Sequence, residues 1–168
     1  MKELDGLLVK MQGGDNAAFE TLYARTKRGV YAFLYTYFHN SCDTEDVMQT
    51  VYLRIKTGLH SYLPGSNARA WILQIAKNCA LSELRRRKDE ISIDGLEIPA
   101  EERFEEGSVT DVMKRVLTEE EQQIVTLHVL WQYKHREIAE MLGVPTGTVT
   151  SKYKRSIAKL KKTIKEEE

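Results

Sequence analysis

Ala139, Gly143 and Val149 stand at offsets of four and then six residues in this 168-residue chain, and that spacing leaves few folds open. A small residue where two helices cross, a glycine that permits the turn, and an apolar residue under the following helix together specify a helix-turn-helix. Its helices are expected at 134–142 and 146–163. Between Thr146 and Lys165 the second helix carries Lys152, Lys154, Arg155, Lys159, Lys161, Lys162 and Lys165 and no Asp or Glu. A basic second helix in that setting is suited to a DNA major groove. Thr146 can cap it, leaving its first backbone amides to face a phosphate, and Thr150, Ser151, Lys152, Lys154 and Arg155 fall on the turns that reach base edges. Cations near a helix C-terminus also complement the helix dipole. That accounts for Lys159 to Lys165 but not for Lys152, Lys154 and Arg155.

The rest of the chain is also helical in period. Phe19, Leu22 and Tyr23, then Val30, Phe33, Leu34 and Tyr37, mark one long or broken helix after Asp15, a plausible N-cap. Val47, Val51 and Ile55 mark a second, from Asp43 to near Gly58, and Trp71, Ile72, Ile75, Ala76 and Cys79 a third, ending at the basic run Arg85-Arg86-Arg87-Lys88. His60 to Asn67 is a loop broken by Pro64-Gly65. Helical pattern returns at Thr118-Glu119-Glu120-Glu121, a capping-box sequence. With only 3 prolines and 42% hydrophobic residues, the chain reads as all-α and able to bury a core. The longest apolar runs fall far short of a membrane span, and the first ten residues carry no signal-peptide core, so a cytoplasmic location is expected.

The net charge of zero conceals three blocks. Residues 1–88 carry 13 Lys/Arg against 8 Asp/Glu, residues 89–111 carry 1 against 9, and residues 112–168 carry 11 against 8. The middle block also loses the helical period and holds Gly95, Pro99 and Gly107, so it reads as an acidic linker between two small helical domains, a helical bundle at 1–88 and the helix-turn-helix at 112–168.

No residue pattern suggests catalysis. Asp43, Glu45 and Asp46 have no His or Lys base partner and no phosphate-binding glycine loop, and acids in a first turn stabilise a helix in any case. His39, His60, His128 and His135 lack metal-ligand spacing, as do Cys42 and Cys79, so no metal or cofactor is expected. Trp71 lies in an apolar stripe, suited to a core or to base stacking. Ser61, Tyr62 and Asn67 on the Pro-Gly loop, near Lys77 and Asn78, are open to two readings: a plain surface loop, or a holder for an unstacked base.

Four segments in order resemble the sigma factors of bacterial RNA polymerase, in their extracytoplasmic-function (ECF) group. They are GDNAAFETLY (Gly14–Tyr23), DTEDVMQTVYL (Asp43–Leu53), AWILQIAKN (Ala70–Asn78), and REIA (Arg136–Ala139) with GTVTS (Gly147–Ser151). The resemblance implies a promoter-specificity subunit, not an enzyme, with core RNA polymerase and promoter DNA as partners and an anti-sigma factor as a further one. No small-molecule substrate and no membrane insertion are implied. The helix with Asp43, Glu45, Asp46, Gln49 and Leu53 would dock on the clamp of the polymerase's largest subunit, and the helix-turn-helix would lie by the flap of the second-largest. Ser61, Tyr62, Leu63, Asn67, Ala68, Trp71, Lys77 and Asn78, with Asn78 beneath the loop, would melt the −10 element and capture a flipped base. Thr146, Thr148, Thr150, Ser151, Lys152, Lys154 and Arg155 would read the −35 element. The linker would thread the polymerase's basic channel, which its charge fits independently. Thr50, Ser82 and Thr150 depart from the family pattern, and Thr150 takes the place of a common cation.

Two other classes compete with that reading. A stand-alone helix-turn-helix regulator, with 1–88 as a sensor or dimerisation domain, would bind duplex DNA tightly by itself. An RNA-binding or scaffold protein would show no base preference in duplex DNA and a steep salt dependence.

Overall fold

Leu4, Leu7, Leu8 and Met11 recur at helical spacing ahead of Asp15, where sequence reading begins its first helix. In the structure, a computed structural model that describes residues 2–94 and 109–167, they face inward from a helix α1 (Lys2–Gln12). Burial of Leu8 and Met11 against the neighbouring helix contributes roughly 1.5–3 kcal/mol per side chain, which holds a helix too short to be stable alone.

Asp15 caps α2 (Asn16–Phe38) as expected, accepting from the N–H groups of Ala17 and Ala18, and the helix runs unbroken. It stops at His39, in left-handed conformation at φ 50°, whose N–H returns to the carbonyl of Tyr35. Asn40 then caps α3 (Ser41–Thr57) through the Asp43 N–H, so α3 starts two residues before Asp43. A short 3-10 turn at Leu59–Ser61 and an open loop lead into α4 (Ala68–Asp94), where Asn67 accepts from the Ala70 N–H. The apolar stripe therefore begins earlier and the helix ends later than its periodicity suggests, six residues past Lys88. Arg86 draws the chain on by pairing with both Glu83 and Glu90. Residues 95–108 of the expected linker lie outside the described residues; its two ends are helical.

The C-terminal half opens with α5 (Val109–Val116), which sequence reading does not anticipate, and α6 (Glu119–Val129). The capping box is formed: Thr118 Oγ1 accepts from the Glu121 N–H, and the Glu121 carboxylate accepts from the Thr118 N–H. The helix-turn-helix follows as α7 (His135–Leu142) and α8 (Thr146–Glu167). No strand occurs among the described residues.

Sequence reading places two bundles at the ends of a tether. In the structure they share a core. Leu22, Leu34, Val51, Ile55, Ile72 and Ala76 from the first half are continuous with Ile124, Leu127, Trp131, Ile138 and Val149 from the second. A smaller cluster, Val112, Met113, Leu117, Val125 and Leu160, closes α5 and α6 on α8. Helix α6 packs along α2, and Trp131 is the plug between them.

Candidate nucleic-acid and polymerase interfaces

The three residues that define the helix-turn-helix occupy their expected places. Ala139 and Val149 are buried, and Gly143 is left-handed at φ 67°, with its N–H returning to the Ala139 carbonyl. Glu137 holds the start of α7 by accepting from the Lys134 N–H at 2.7 Å. Thr146 is the first helical residue of α8 and not its cap. Pro145 stands at the cap position, and its carbonyl accepts from the Thr148 and Val149 N–H groups.

Packing divides the cations of α8. Lys152 pairs with Glu120, and Lys159 with the buried Glu121 at 2.9 Å, so both point back onto α6. Lys154 and Arg155 are exposed, as are Thr146, Gly147 and Ser151. At helical spacing these form one outward stripe, with the Ser151 hydroxyl bonded to the Gly147 carbonyl at 2.7 Å. Thr148 and Thr150 are half-buried at its edge. Thr150 Oγ1 donates to the Thr146 carbonyl and lies 3.1 Å from Nδ1 of His135. Behind it the rings of His128, His135 and Tyr153 cluster tilted and edge-on, with centroids 4.6 to 5.0 Å apart. Burial, then the charges of His128 and Lys154, push the His135 imidazole below its ordinary value. No third ligand joins the two histidines, and no metal-binding group occurs among the described residues.

The loop before α4 is built from α1. Asp5 Oδ1 accepts from the Tyr62 hydroxyl at 2.6 Å and the Gly65 N–H at 2.8 Å, while the Gln12 amide donates to the carbonyls of Leu59 and Tyr62. The Tyr62 bond and then the Gly65 amide hold the Asp5 carboxyl below its usual range; burial and that same bond push the Tyr62 phenol up. Tyr62 is therefore an anchor, buried with its ring edge-on to the half-buried Trp71 at 5.2 Å, and Ala68 is buried too. What the loop presents outward is Ser61, Leu63, which is 72% exposed, and Asn67. Lys77 and Asn78 are exposed, with Asn78 bonded to Gln74. The helical rise puts Asn78 about 15 Å along α4 from Ala68, so it lies down the helix from the loop and not beneath it. Asp5 and Gln12 escape sequence reading because they act from the far end of the chain, although the amphipathic spacing around them was a readable sign of a helix.

On α3, Glu45, Asp46, Gln49 and Leu53 are exposed in one row. Leu53, at 62% exposed, is a large apolar side chain left in water, beside a shallow groove walled by Phe19, Tyr23 and Tyr52. Asp43 does not join them. Its carboxylate takes a 2.7 Å ion pair from Arg87 of α4, whose guanidinium also covers the Phe38 ring. Arg86, then Arg87, hold the neighbouring Glu83 at about 2 against its burial, so much of the basic end of α4 is neutralised internally.

Residues 22–90 match the family model for sigma-70 region 2, and residues 111–160 that for sigma-70 region 4. The chain is also 30% identical over 172 aligned positions to the ECF RNA polymerase sigma-E factor of Escherichia coli K12, covering 89% of this chain and 88% of that one. The chain belongs to the sigma-70 family. It is an ECF sigma factor, a promoter-directing subunit with no enzymatic role, and the stand-alone regulator is set aside. ECF sigma factor SigM of Mycobacterium tuberculosis (strain Erdman) is 27% identical to this sigma factor over 158 positions, 92% of this chain and 81% of the relative. Two solved structures share the fold. Sigma factor RpoE of Bartonella quintana, in complex with the anti-sigma factor NepR, has a TM-score of 0.64 at 21% identity, covering 88% of this chain and 96% of that one. CnrH, in complex with the cytosolic domain of CnrY, has a TM-score of 0.63 at 19% identity, covering 99% of each chain. The region 2 match begins after α1, so Asp5 and Gln12 lie outside it.

Proposed function

We propose that this sigma factor reads a promoter at two places while bound to core RNA polymerase. The stripe Thr146, Ser151, Lys154 and Arg155, edged by Thr148 and Thr150, reads the −35 duplex in the major groove. The loop residues Ser61, Leu63 and Asn67, with Trp71, Lys77 and Asn78 along α4, hold the melted −10 strand. Glu45, Asp46, Gln49 and Leu53 dock on the largest-subunit clamp, region 4 lies against the flap of the second-largest, and the acidic linker threads the channel between them. The work is done in the cytoplasm, where the polymerase is.

The observation that carries this reading is the sorting of cations on α8. Lys152 and Lys159 are spent on α6, which fixes the helix on its scaffold and leaves Lys154 and Arg155 free to face outward from a rigid element. Two outward cations on the first turns of α8, with Lys161, Lys162 and Lys165 exposed further along it, are few for tight binding alone, because non-specific affinity grows with the phosphates neutralised. The polymerase supplies the remainder.

An anti-sigma factor is the second partner. A groove of about 680 Å³ between the halves is lined by Met48, Met113, Val129, Leu130 and Ile157 together with Lys27 and Arg28. Apolar walls with two cations suit an amphipathic, acidic helix, and one fold relative above, RpoE of Bartonella quintana, was solved with an anti-sigma factor.

Run-off transcription with purified core polymerase over a promoter library tests the reading. Initiation confined to templates sharing two spaced elements, with feeble binding by the chain alone, is the expected result. Tight duplex binding by the isolated chain, with no change in polymerase start sites, would overturn it.

A further inference from the structure

We propose that His135 is a positioning residue for promoter specificity: it commits the Thr150 hydroxyl inward, so that the base facing Thr150 is adenine, cytosine or thymine and not guanine. The inference deepens the reading that α8 lies in the −35 major groove, and rests on it. The Thr150 hydroxyl owns one proton, which it donates to the Thr146 carbonyl at 3.0 Å. The 3.1 Å contact between Thr150 Oγ1 and His135 Nδ1 therefore takes its proton from the ring. His135 opens α7 and Thr150 stands on the first turns of α8, so this bond ties the supporting helix to the reading one. A bond given to a hydroxyl strengthens the bond that hydroxyl gives onward, and the Thr150 oxygen is held from both ends.

The surroundings keep His135 in the form this requires. Its Nε2 is buried with no hydrogen-bond partner among the described residues, so a proton there would be an orphaned donor. Burial, then the charges of His128 and Lys154, hold the imidazole below its ordinary value and neutral at pH 7. With one proton on the ring and no acceptor beside Nε2, Nδ1 carries it. The ring is confined, since His128 and Tyr153 pack on it with centroids 4.6 and 5.0 Å distant. His128 is anchored in turn, its Nδ1 donating to the Tyr133 carbonyl at 2.8 Å.

Half-buried Thr150 then has one lone pair and a methyl group left to offer a ligand. In the major groove adenine and cytosine present amino N–H groups, thymine a methyl, and guanine only the acceptors N7 and O6. The lone pair suits the first two and the methyl the third. Against guanine, acceptor would meet acceptor with no proton between them. Exposed Lys154 and Arg155, which only donate, suit guanine instead, so the stripe holds two kinds of reader.

Initiation by holoenzyme reconstituted with the full chain, over a library randomised through the −35 element, tests this. Thr150→Arg, Thr150→Val, His135→Leu and His135→Asn are compared with the wild type, with circular dichroism as the folding control. The wild type is expected to reject guanine at one position roughly fivefold or more, and Thr150→Arg to prefer it there. His135→Leu frees the hydroxyl proton and should lose that rejection, at that position only. His135→Asn, whose amide donates from near where Nδ1 stood, should restore it. In a Thr150→Val background His135→Leu should change base preference no further, because His135 acts through the hydroxyl. Guanine accepted by the wild type at the position that Thr150→Arg alters would overturn the proposal. So would a His135→Leu preference identical to that of the wild type, or one changed evenly at every position. If the wild-type holoenzyme is indifferent to the whole −35 element, the two-element reading falls, and this proposal with it.

Discussion

The ammonium of Lys159 lies 2.9 Å from the carboxylate of Glu121, a buried residue that also closes the capping box of α6. One carboxylate thus fixes the start of α6 and ties α8 to it. Burial pushes the Glu121 carboxyl up, but the bonds from Lys159 and the Thr118 amide outweigh it and hold it below 4.5. With the folded value depressed, the stabilisation is complete above pH 4.5 and is lost as pH falls through the folded value. Glu121→Ala is expected to cost about 1–3 kcal/mol, lowering the melting temperature by several degrees and flattening the acid limb. Thermal melts by circular dichroism between pH 7 and pH 3 check this.

Arg155 and Lys152 carry the same charge three residues apart, yet Lys152 pairs with Glu120 while Arg155 is exposed. Arg155→Ala is expected to weaken −35-dependent initiation by about 1–3 kcal/mol and to relax specificity at one promoter position. Lys152→Ala should instead loosen α8 from Glu120, lowering thermal stability while leaving base preference unaltered. Holoenzyme binding to a set of −35 variants, paired with melting curves, separates the two.

Asp5 holds the loop through Tyr62 and Gly65. Asp5→Ala is expected to slow promoter opening several-fold while polymerase affinity stays as it is, since the α3 face is untouched. Permanganate reactivity of the −10 region, followed over time beside a polymerase-binding assay, reads both quantities; equal opening rates would show that promoter opening does not need Asp5 to hold the loop.

Leu53 projects from α3 into water, so Leu53→Glu should change folding stability by no more than about 0.5 kcal/mol. Polymerase affinity should fall tenfold or more, about 1.4 kcal/mol, as a charge replaces the exposed apolar side chain proposed to dock. Competition against the wild type for core polymerase measures it.

His135 is expected to give region 4 a pH response. Burial, with the charges of His128 and Lys154, lowers its folded value below the ordinary 6.5, and Tyr153 and Thr150 face it. The stabilisation is complete above pH 6.5 and is lost as pH falls from there through the lowered folded value. The melting temperature should drop by a few degrees between pH 7.5 and 5.5, and His135→Gln should blunt that slope. A slope unchanged in the variant would assign the response to other groups.

Local chemistry was legible in the sequence. Ala139, Gly143 and Val149 placed the helix-turn-helix, Thr118 and Glu121 the capping box, and Asp15 the start of α2, because each acts on backbone within a few residues of itself. The helical period gave the all-α class and marked most buried faces. Which neighbour covers a face is a longer-range matter. Sequence treats Lys152, Lys154 and Arg155 alike, and only the approach of α6 with Glu120 and Glu121 turns some cations of α8 inward. Tyr62 reads as an outward residue of a surface or base-holding loop until Asp5, 57 residues away, draws its hydroxyl inward. Trp131 and Gly29, 102 residues apart, give no periodic sign of each other, yet their contact joins the two halves into one core. Periodicity records that a side chain is apolar and on which side of its helix it lies; the partner that buries it is decided by packing across the whole chain.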